Sequence, residues 1–267
     1  MSLNPEDITN VIVAGKSGAG KQPRIDVLVE EFKLEQLSTG DIFRFYLKKF
    51  SDYNYQGNLD VFWDETTNRF IPDEEIAEKL GVDDPEVILG LKAKYFVDRG
   101  LFVPDYITNT LFESAFSKKN YRKQVLDGYP RTVDQSKFLL DLLDKHDSKI
   151  DFILLVDNSD ERIIERTVNR RICPKCGRVY HLIYKPPRNG RCEVCGVEVI
   201  QRSDDTEEKI KSRLREFREK ALPAINYLRD KGIPLVTVPG HLEVFTPENV
   251  KRSVMEAIEK LYSKAIG

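Results

Sequence analysis

The sequence predicts an α/β fold in which a parallel sheet is covered by helices on both faces. Three observations lead there. Residues 11–14 are an unbroken apolar run that passes straight into a glycine-rich turn, the pattern of a strand buried on both faces. Further strands read at 123–127, 150–157 and 233–238. They alternate with segments of helical apolar spacing, among them 135–143, 209–222 and 248–261, and such alternation argues for parallel pairing.

The first strand ends in Gly15-Lys16-Ser17-Gly18-Ala19-Gly20-Lys21. Its glycines let the backbone turn tightly with N–H groups inward. Gly15-xxxx-Gly20-Lys21 has the phosphate-loop spacing, in which those amides and the positive end of the next helix bind phosphate oxygens and the lysine reaches the β- and γ-phosphates. The bland alternative is a plain glycine turn between strand and helix. The Ser or Thr that usually follows the lysine and helps to hold magnesium is missing, and Gln22, Pro23 and Arg24 stand there instead. Residues 24–32 carry helical spacing, and Pro23 is tolerated because it falls in the first turn.

Next, Leu37-Ser38-Thr39-Gly40-Asp41 reads as a polar turn capping a helix start. Residues 45–88 hold Phe45, Tyr46, Phe50, Tyr53, Tyr55, Phe62 and the single tryptophan, Trp63. Their aromatics are expected to pack on one another; an extra flap or a partner-binding surface is the alternative. Within this stretch 71–81 reads as a short helix with an acidic first turn and a glycine stop at Gly81. The strand at 123–127 ends in Asp127-Gly128-Tyr129-Pro130-Arg131-Thr132, with Gln135 just beyond. Carboxyl ends of parallel strands are where such sheets bind ligands.

Cys173-Pro-Lys-Cys176-Gly177 and Cys192-Glu-Val-Cys195-Gly196 are two matched knuckles fifteen residues apart. That spacing suits one tetrahedral zinc held by four thiolates. The surrounding segment is too polar and small to build a core, so the metal would serve as one. Two disulfides or four idle thiols are the alternative.

With 267 residues, 40% of them hydrophobic, the chain fits one large domain or a core with inserted subdomains. Lys+Arg of 42 against Asp+Glu of 44 leaves a net charge of −2, which gives no global field for nucleic acid or an anionic membrane. A zinc-ribbon nucleic-acid binder is disfavoured on the same ground and by the lack of a basic aromatic stripe. The first residues show no targeting leader and no apolar run is long enough to span a bilayer, so a cytoplasmic protein is expected.

The glycine loop, the Ser-Thr-Gly-Asp turn with Arg44 beyond it, the Asp-Gly-Tyr-Pro-Arg-Thr segment and an arginine-flanked cysteine region stand here in the order seen in adenylate kinases. The chain resembles that family over most of its length outside 45–88. The resemblance implies a P-loop NTPase-like core over 1–37, 104–165 and 206–267. It also implies a monophosphate-binding domain over 38–103, enlarged by the insertion at 45–88, and a zinc-binding lid over 166–205. It implies ATP on Gly15, Ser17, Gly18, Ala19, Gly20, Lys21 and Gln22, with Arg166, Arg170, Tyr180 and His181 toward the triphosphate and base. AMP is implied on Thr39, Gly40, Arg44, Gly128, Arg131, Gln135, Arg202 and Arg213. Lys21, Arg131, Arg171, Arg202 and Arg213 would carry the catalytic charge, and Asp127 would order the water shell of a Mg2+ ion. Cys173, Cys176, Cys192 and Cys195 would hold a structural Zn2+. The implied partners are ATP and AMP or ADP, without nucleic acid or membrane, and the implied state is a monomer. The implied activity is reversible, Mg-dependent transfer of the γ-phosphoryl of ATP to AMP. Because Gln22-Pro23 replaces the family's Gly-Thr, a weakened or inactive nucleotide-binding regulator is the second expectation.

Overall fold

The computed structural model describes residues 5–202 and 205–264. The chain starts with β1 (Asn10–Ala14), α1 (Gln22–Phe32), β2 (Glu35–Ser38) and α2 (Thr39–Tyr53). A small hairpin of β3 (Trp63–Asp64) and β4 (Arg69–Phe70) leads to α3 (Asp73–Leu80), α4 (Pro85–Asp98) and α5 (Asp105–Ser117). Then come β5 (Gln124–Asp127), α6 (Val133–Lys145), β6 (Phe152–Asp157) and α7 (Asp160–Val168). A second hairpin, β7 (Arg170–Ile172) with β8 (Val179–His181), precedes α8 (Glu207–Glu216), α9 (Leu222–Asp230), β9 (Leu235–Pro239) and α10 (Pro247–Lys264).

The central sheet runs β2-β5-β1-β6-β9 with every neighbour parallel. β1 lies in the middle, with Ile12 level with Leu126 on one side and Ile153 on the other. Successive strand residues face opposite sides. Val11 and Val13 therefore enter one apolar cluster with Ile25 and Leu28 of α1 and Val250, Val254 and Ile258 of α10. Ile12 enters the other, with Leu111 and Phe112 of α5, Leu139 of α6 and Ile225 of α9. Both faces are covered, which is why the strand is apolar without alternation.

Several expectations shift. The 37–41 turn is not a capped start: Leu37 and Ser38 end β2, and Ser38 precedes α2 without a side-chain cap. The strand expected at 150–157 begins at Phe152, and that expected at 233–238 spans Leu235–Pro239. The helix expected at 209–222 does not stop there. It continues to Asp230 through a π turn, Phe217–Ala221, where the Leu222 N–H bonds back to the Phe217 carbonyl. Pro223 follows, lacks an N–H and crowds the preceding turn, and a widened turn accommodates it.

In the insertion the aromatics do pack together. Trp63 stacks on Tyr95 at 5.0 Å and meets Phe70 and Phe96 edge-on, while Tyr55 lies against Phe50 and Phe62. Phe50, Phe62, Ile76, Leu80, Val87, Ile88 and Leu91 form a separate small core there. Helix α3 ends at Gly81 in the left-handed conformation, φ 71°, the glycine stop that the sequence expects. Phe45 meets Tyr46 edge-on at 5.1 Å yet stays 44% exposed, with Lys49 and Lys118 over its ring.

Candidate active site

The loop after β1 has the left-handed backbone its glycines permit, with φ of 148° at Gly15, 84° at Gly18 and 99° at Gly20. A Cβ at Gly15 would lie 2.5 Å from the Val156 carbonyl oxygen of the neighbouring strand, so no side chain fits. α1 begins directly after the loop without a side-chain cap or an acidic residue in its first turn, which leaves the positive helix end for an anion. The Lys21 ammonium lies back across the loop and donates to the carbonyls of Gly15 (3.2 Å) and Lys16 (3.4 Å). Desolvation lowers its pKa below the usual lysine value; the Asp127 carboxylate opposes this and the Arg131 charge adds to it.

Facing the loop is a cavity of about 370 Å³. Gly15, Ser17 and Lys21 line it from one side, Gly128 and Arg131 from the end of β5, and Arg202, Arg213, Phe217 and Lys220 from the segments after the cysteine region. Seven residues singled out in the sequence, drawn from four separate stretches, thus meet around one space. Asp127 ends β5 beside it, and its backbone carbonyl accepts from the Thr39 hydroxyl at 3.2 Å. The Arg131 side chain donates to the Gly128 carbonyl at 2.8 Å. Gly40 sits against Arg44, whose guanidinium is exposed and paired with Asp41 at 2.5 Å.

Other predicted residues sit elsewhere or are already engaged. The Gln22 amide turns away from the loop to Asp26 (2.9 Å) and Gln36 (2.9 Å), so its side chain does not line the phosphate cradle. Tyr180 is buried at 1% exposure inside the cysteine cluster: its hydroxyl donates to Cys192 Sγ and accepts from the Glu193 N–H. That burial corrects the expectation that Tyr180 faces ATP. Gln135 is buried, with Oε1 accepting from the Arg131 N–H (2.7 Å) and Nε2 donating to Asp105 (2.7 Å). Arg170 makes a two-pronged pair with the fully buried Asp205, and Arg171 folds onto the carbonyls of Val168 and Arg170. Neither lines the cavity.

Arg166 reaches the far side of the loop, donating to the Gly240 carbonyl near Gly20. His181 lies within electrostatic reach of Glu165 and Arg166 and stacks on Tyr184 at 4.5 Å. Burial pushes its imidazole below the usual value; Glu165 opposes the shift and Arg166 reinforces it. Arg24, given no role by the sequence, is fully buried beneath the loop and joins the carbonyls of Gly20 (3.2 Å) and Pro239 (2.7 Å). Nothing local in the sequence signals it, because Pro239 lies on the far edge strand.

The four cysteine sulfurs all lie within 4.8 Å of one another, and Cys176 and Cys192 are 3.7 Å apart. Four thiolates about 2.3 Å from one tetrahedral metal stand roughly 3.8 Å from each other. The knuckles are built alike: Gly177 N–H bonds the Cys173 carbonyl and Gly196 N–H that of Cys192, while Cys173 and Cys192 N–H groups bond Arg178 and Val197. This set can hold a metal ion without an open position. The Tyr180 hydroxyl lowers the Cys192 thiol, which favours the thiolate a metal needs.

A glycine nest, a helix end and converging guanidinium groups define a nucleotide-phosphate-binding α/β protein with a cysteine-clustered hairpin inserted in it. The family model described as adenylate kinase matches residues 83–233. The chain is 33% identical over 252 residues to the adenylate kinase of Clostridium kluyveri, covering 94% of this chain and 99% of the relative. It is 35% identical over 236 residues to that of Caldicellulosiruptor bescii (88% and 93%), and 34% over 253 to that of Thermosipho melanesiensis (94% and 100%). The chain belongs to the adenylate kinase family. No helix among the described residues is long and apolar enough to cross a membrane.

Proposed function

We propose that the protein catalyses reversible, magnesium-dependent transfer of the γ-phosphoryl of ATP to AMP, giving two ADP. The observation that carries this is the gathering of Lys21, Arg131, Arg202 and Arg213 around one cavity at the glycine loop. Phosphoryl transfer needs two substrates held in line and cations around the moving group. An oxygen of the AMP phosphate forms the new bond to the γ-phosphorus. The bond from phosphorus to the β,γ-bridging oxygen breaks, and its electron pair leaves with ADP.

In this reading the triphosphate lies on the amides of 15–21 with Lys21 at its β- and γ-phosphates, and Arg166 and His181 stand toward the base. Thr39, Gly40, Arg44, Gly128, Arg131 and Gln135 surround the monophosphate, with Gln135 parting from Asp105 if it reads the adenine edge. Planar guanidinium groups suit paired phosphate oxygens. Mg2+ bound with ATP would supply charge neutralisation of the phosphates, and Asp127 would hold its water shell. The four cysteines fit a structural Zn2+, and the 166–205 segment acts as a lid that keeps water from the γ-phosphoryl. The working unit is a monomer in the cytoplasm.

One observation favours the regulator reading. Pro23 supplies neither hydroxyl nor N–H, and the Gln22 amide is engaged elsewhere. A coupled assay with ATP, Mg2+ and AMP, CMP, UMP or GMP in turn separates the two. Transfer selective for AMP supports the kinase, nucleotide binding without transfer supports the regulator, and absence of binding overturns both.

A further inference from the structure

We propose that Gln22 and Gln36 form an orienting amide relay that aims the Asp127 carboxylate, a task imposed by the hydroxyl missing after Lys21. The relay rests on the kinase reading of Asp127 given above. Its two members are positioning residues, acting through Asp127.

A glutamine amide can present either its oxygen or its NH2 group, whereas an ionised carboxylate only accepts. Asp127 Oδ2 accepts from Gln36 Nε2 at 3.1 Å. If the Gln36 amide were reversed, two oxygens would face each other. What holds it is Gln22: Gln22 Nε2 donates to Gln36 Oε1 at 2.9 Å, and Gln36 Nε2 returns a bond to Gln22 Oε1 at 3.3 Å. Gln22 is oriented in turn by its second donation, to Asp26 Oδ1 at 2.9 Å. A carboxylate at each end and a reciprocal amide pair between them permit one arrangement of both side chains. One Asp127 oxygen is thereby tied to the protein, the other stays outside the relay, and the charge of the group acts on Lys21.

The elements make this possible. β2 pairs with β5 so that Ser38 is level with Asp127, which brings Gln36, two residues earlier on the same strand face, beside the strand end. α1 starts directly after the loop and carries Gln22 and Asp26 one turn apart. A glycine at position 22 could make no such link. The residue that departs from the loop's usual pattern therefore connects the nucleotide cradle to the metal-facing carboxylate.

The test is calorimetric binding of ATP in Mg2+ and in EDTA to the wild-type protein, Gln22→Ala, Gln36→Leu and the double variant. Each single change is expected to lower the ratio of the two affinities by about tenfold, the size of one hydrogen bond to a charged group. Affinity in EDTA should move less than about twofold, and the double variant should add little to either single change because the three residues act as a unit. Equal weakening in Mg2+ and EDTA, or an unchanged ratio, overturns the relay. Should Gln36→Leu fail to fold, Gln22→Ala carries the same expectation from an exposed position. A wild-type protein that binds ATP equally in both conditions and moves no phosphoryl to AMP overturns the kinase reading and the relay with it. Wild-type transfer together with variants that keep the Mg2+ preference overturns the relay alone.

Discussion

Lys21 is the side chain on which the loop's charge is concentrated, and its protonation is tied to occupancy. Burial holds its pKa below 10.5, with Asp127 partly compensating and Arg131 adding to the shift. A bound triphosphate favours the ammonium form, so ATP affinity is full at neutral pH and is lost as pH rises through this lowered pKa. Calorimetric titration between about pH 7 and pH 10 should show that loss below the ordinary lysine range, and Lys21→Arg should move it upward. Lys21→Met should cut kcat by about 10²–10³-fold, the cost of one preorganised donor. Pro23→Thr should raise kcat, since a restored donor near the phosphates lowers the barrier by up to about 3 kcal/mol. Local spacing singled out Gly15 and Lys21 at this scale, and the resemblance singled out Gly128 and Arg131; the structure brings the four to one cavity. Arg24 and Gln36 were singled out by neither, because what gives them a role is a carbonyl 215 positions away and a carboxylate 91 positions away.

Among the elements, those with one strong periodic face were readable and those that lean on neighbours were not. α6 has a capping Thr132 whose hydroxyl accepts from the Gln135 N–H, and its apolar spacing marked it in advance. β2 is an edge strand with a single partner and the polar start Glu35-Gln36, so it carries no apolar run to betray it. The α2–α4 crossing depends on Gly90, where a Cβ would lie 2.2 Å from the Tyr46 carbonyl oxygen. Gly90→Ala should therefore destabilise the protein by about 1–3 kcal/mol, measured by urea unfolding, despite alanine's better helix propensity. In the cysteine hairpin, Tyr180→Phe removes the hydroxyl that contacts both Cys192 and the Glu193 N–H. Metal affinity should fall by about tenfold, as for other groups that orient a ligand from behind, with ATP affinity unchanged; competition against a chelating dye measures the first and calorimetry the second.

The described residues form four apolar cores: one on each face of the sheet, one in the insertion and one around the cysteines. Chelation should dissolve the last of these, lowering the melting temperature and the order of 166–205 while calorimetry still detects nucleotide binding. Trp63 joins the insertion to Tyr95 and Phe96 of α4 and to the core on that face of the sheet, so its fluorescence should report loss of that contact on unfolding and stay constant when AMP is added; a shift with AMP would favour the flap reading. The sequence could indicate strands and helices, through resemblance their grouping, and that the aromatics of 45–88 would pack on one another, but not that Val87, Ile88 and Leu91 of α4 would close that core. The order of the sheet also bears on how the chain is made. β1 and β2 emerge first, yet neither pairs with the other: both wait for β5, more than eighty residues downstream of β2. On a ribosome adding about 5–20 residues per second, the earliest apolar strand is left without a partner for several seconds. Arg202 and Arg213 emerge later still, so two of the guanidinium groups that line the cavity are made only after β1, β5 and β6.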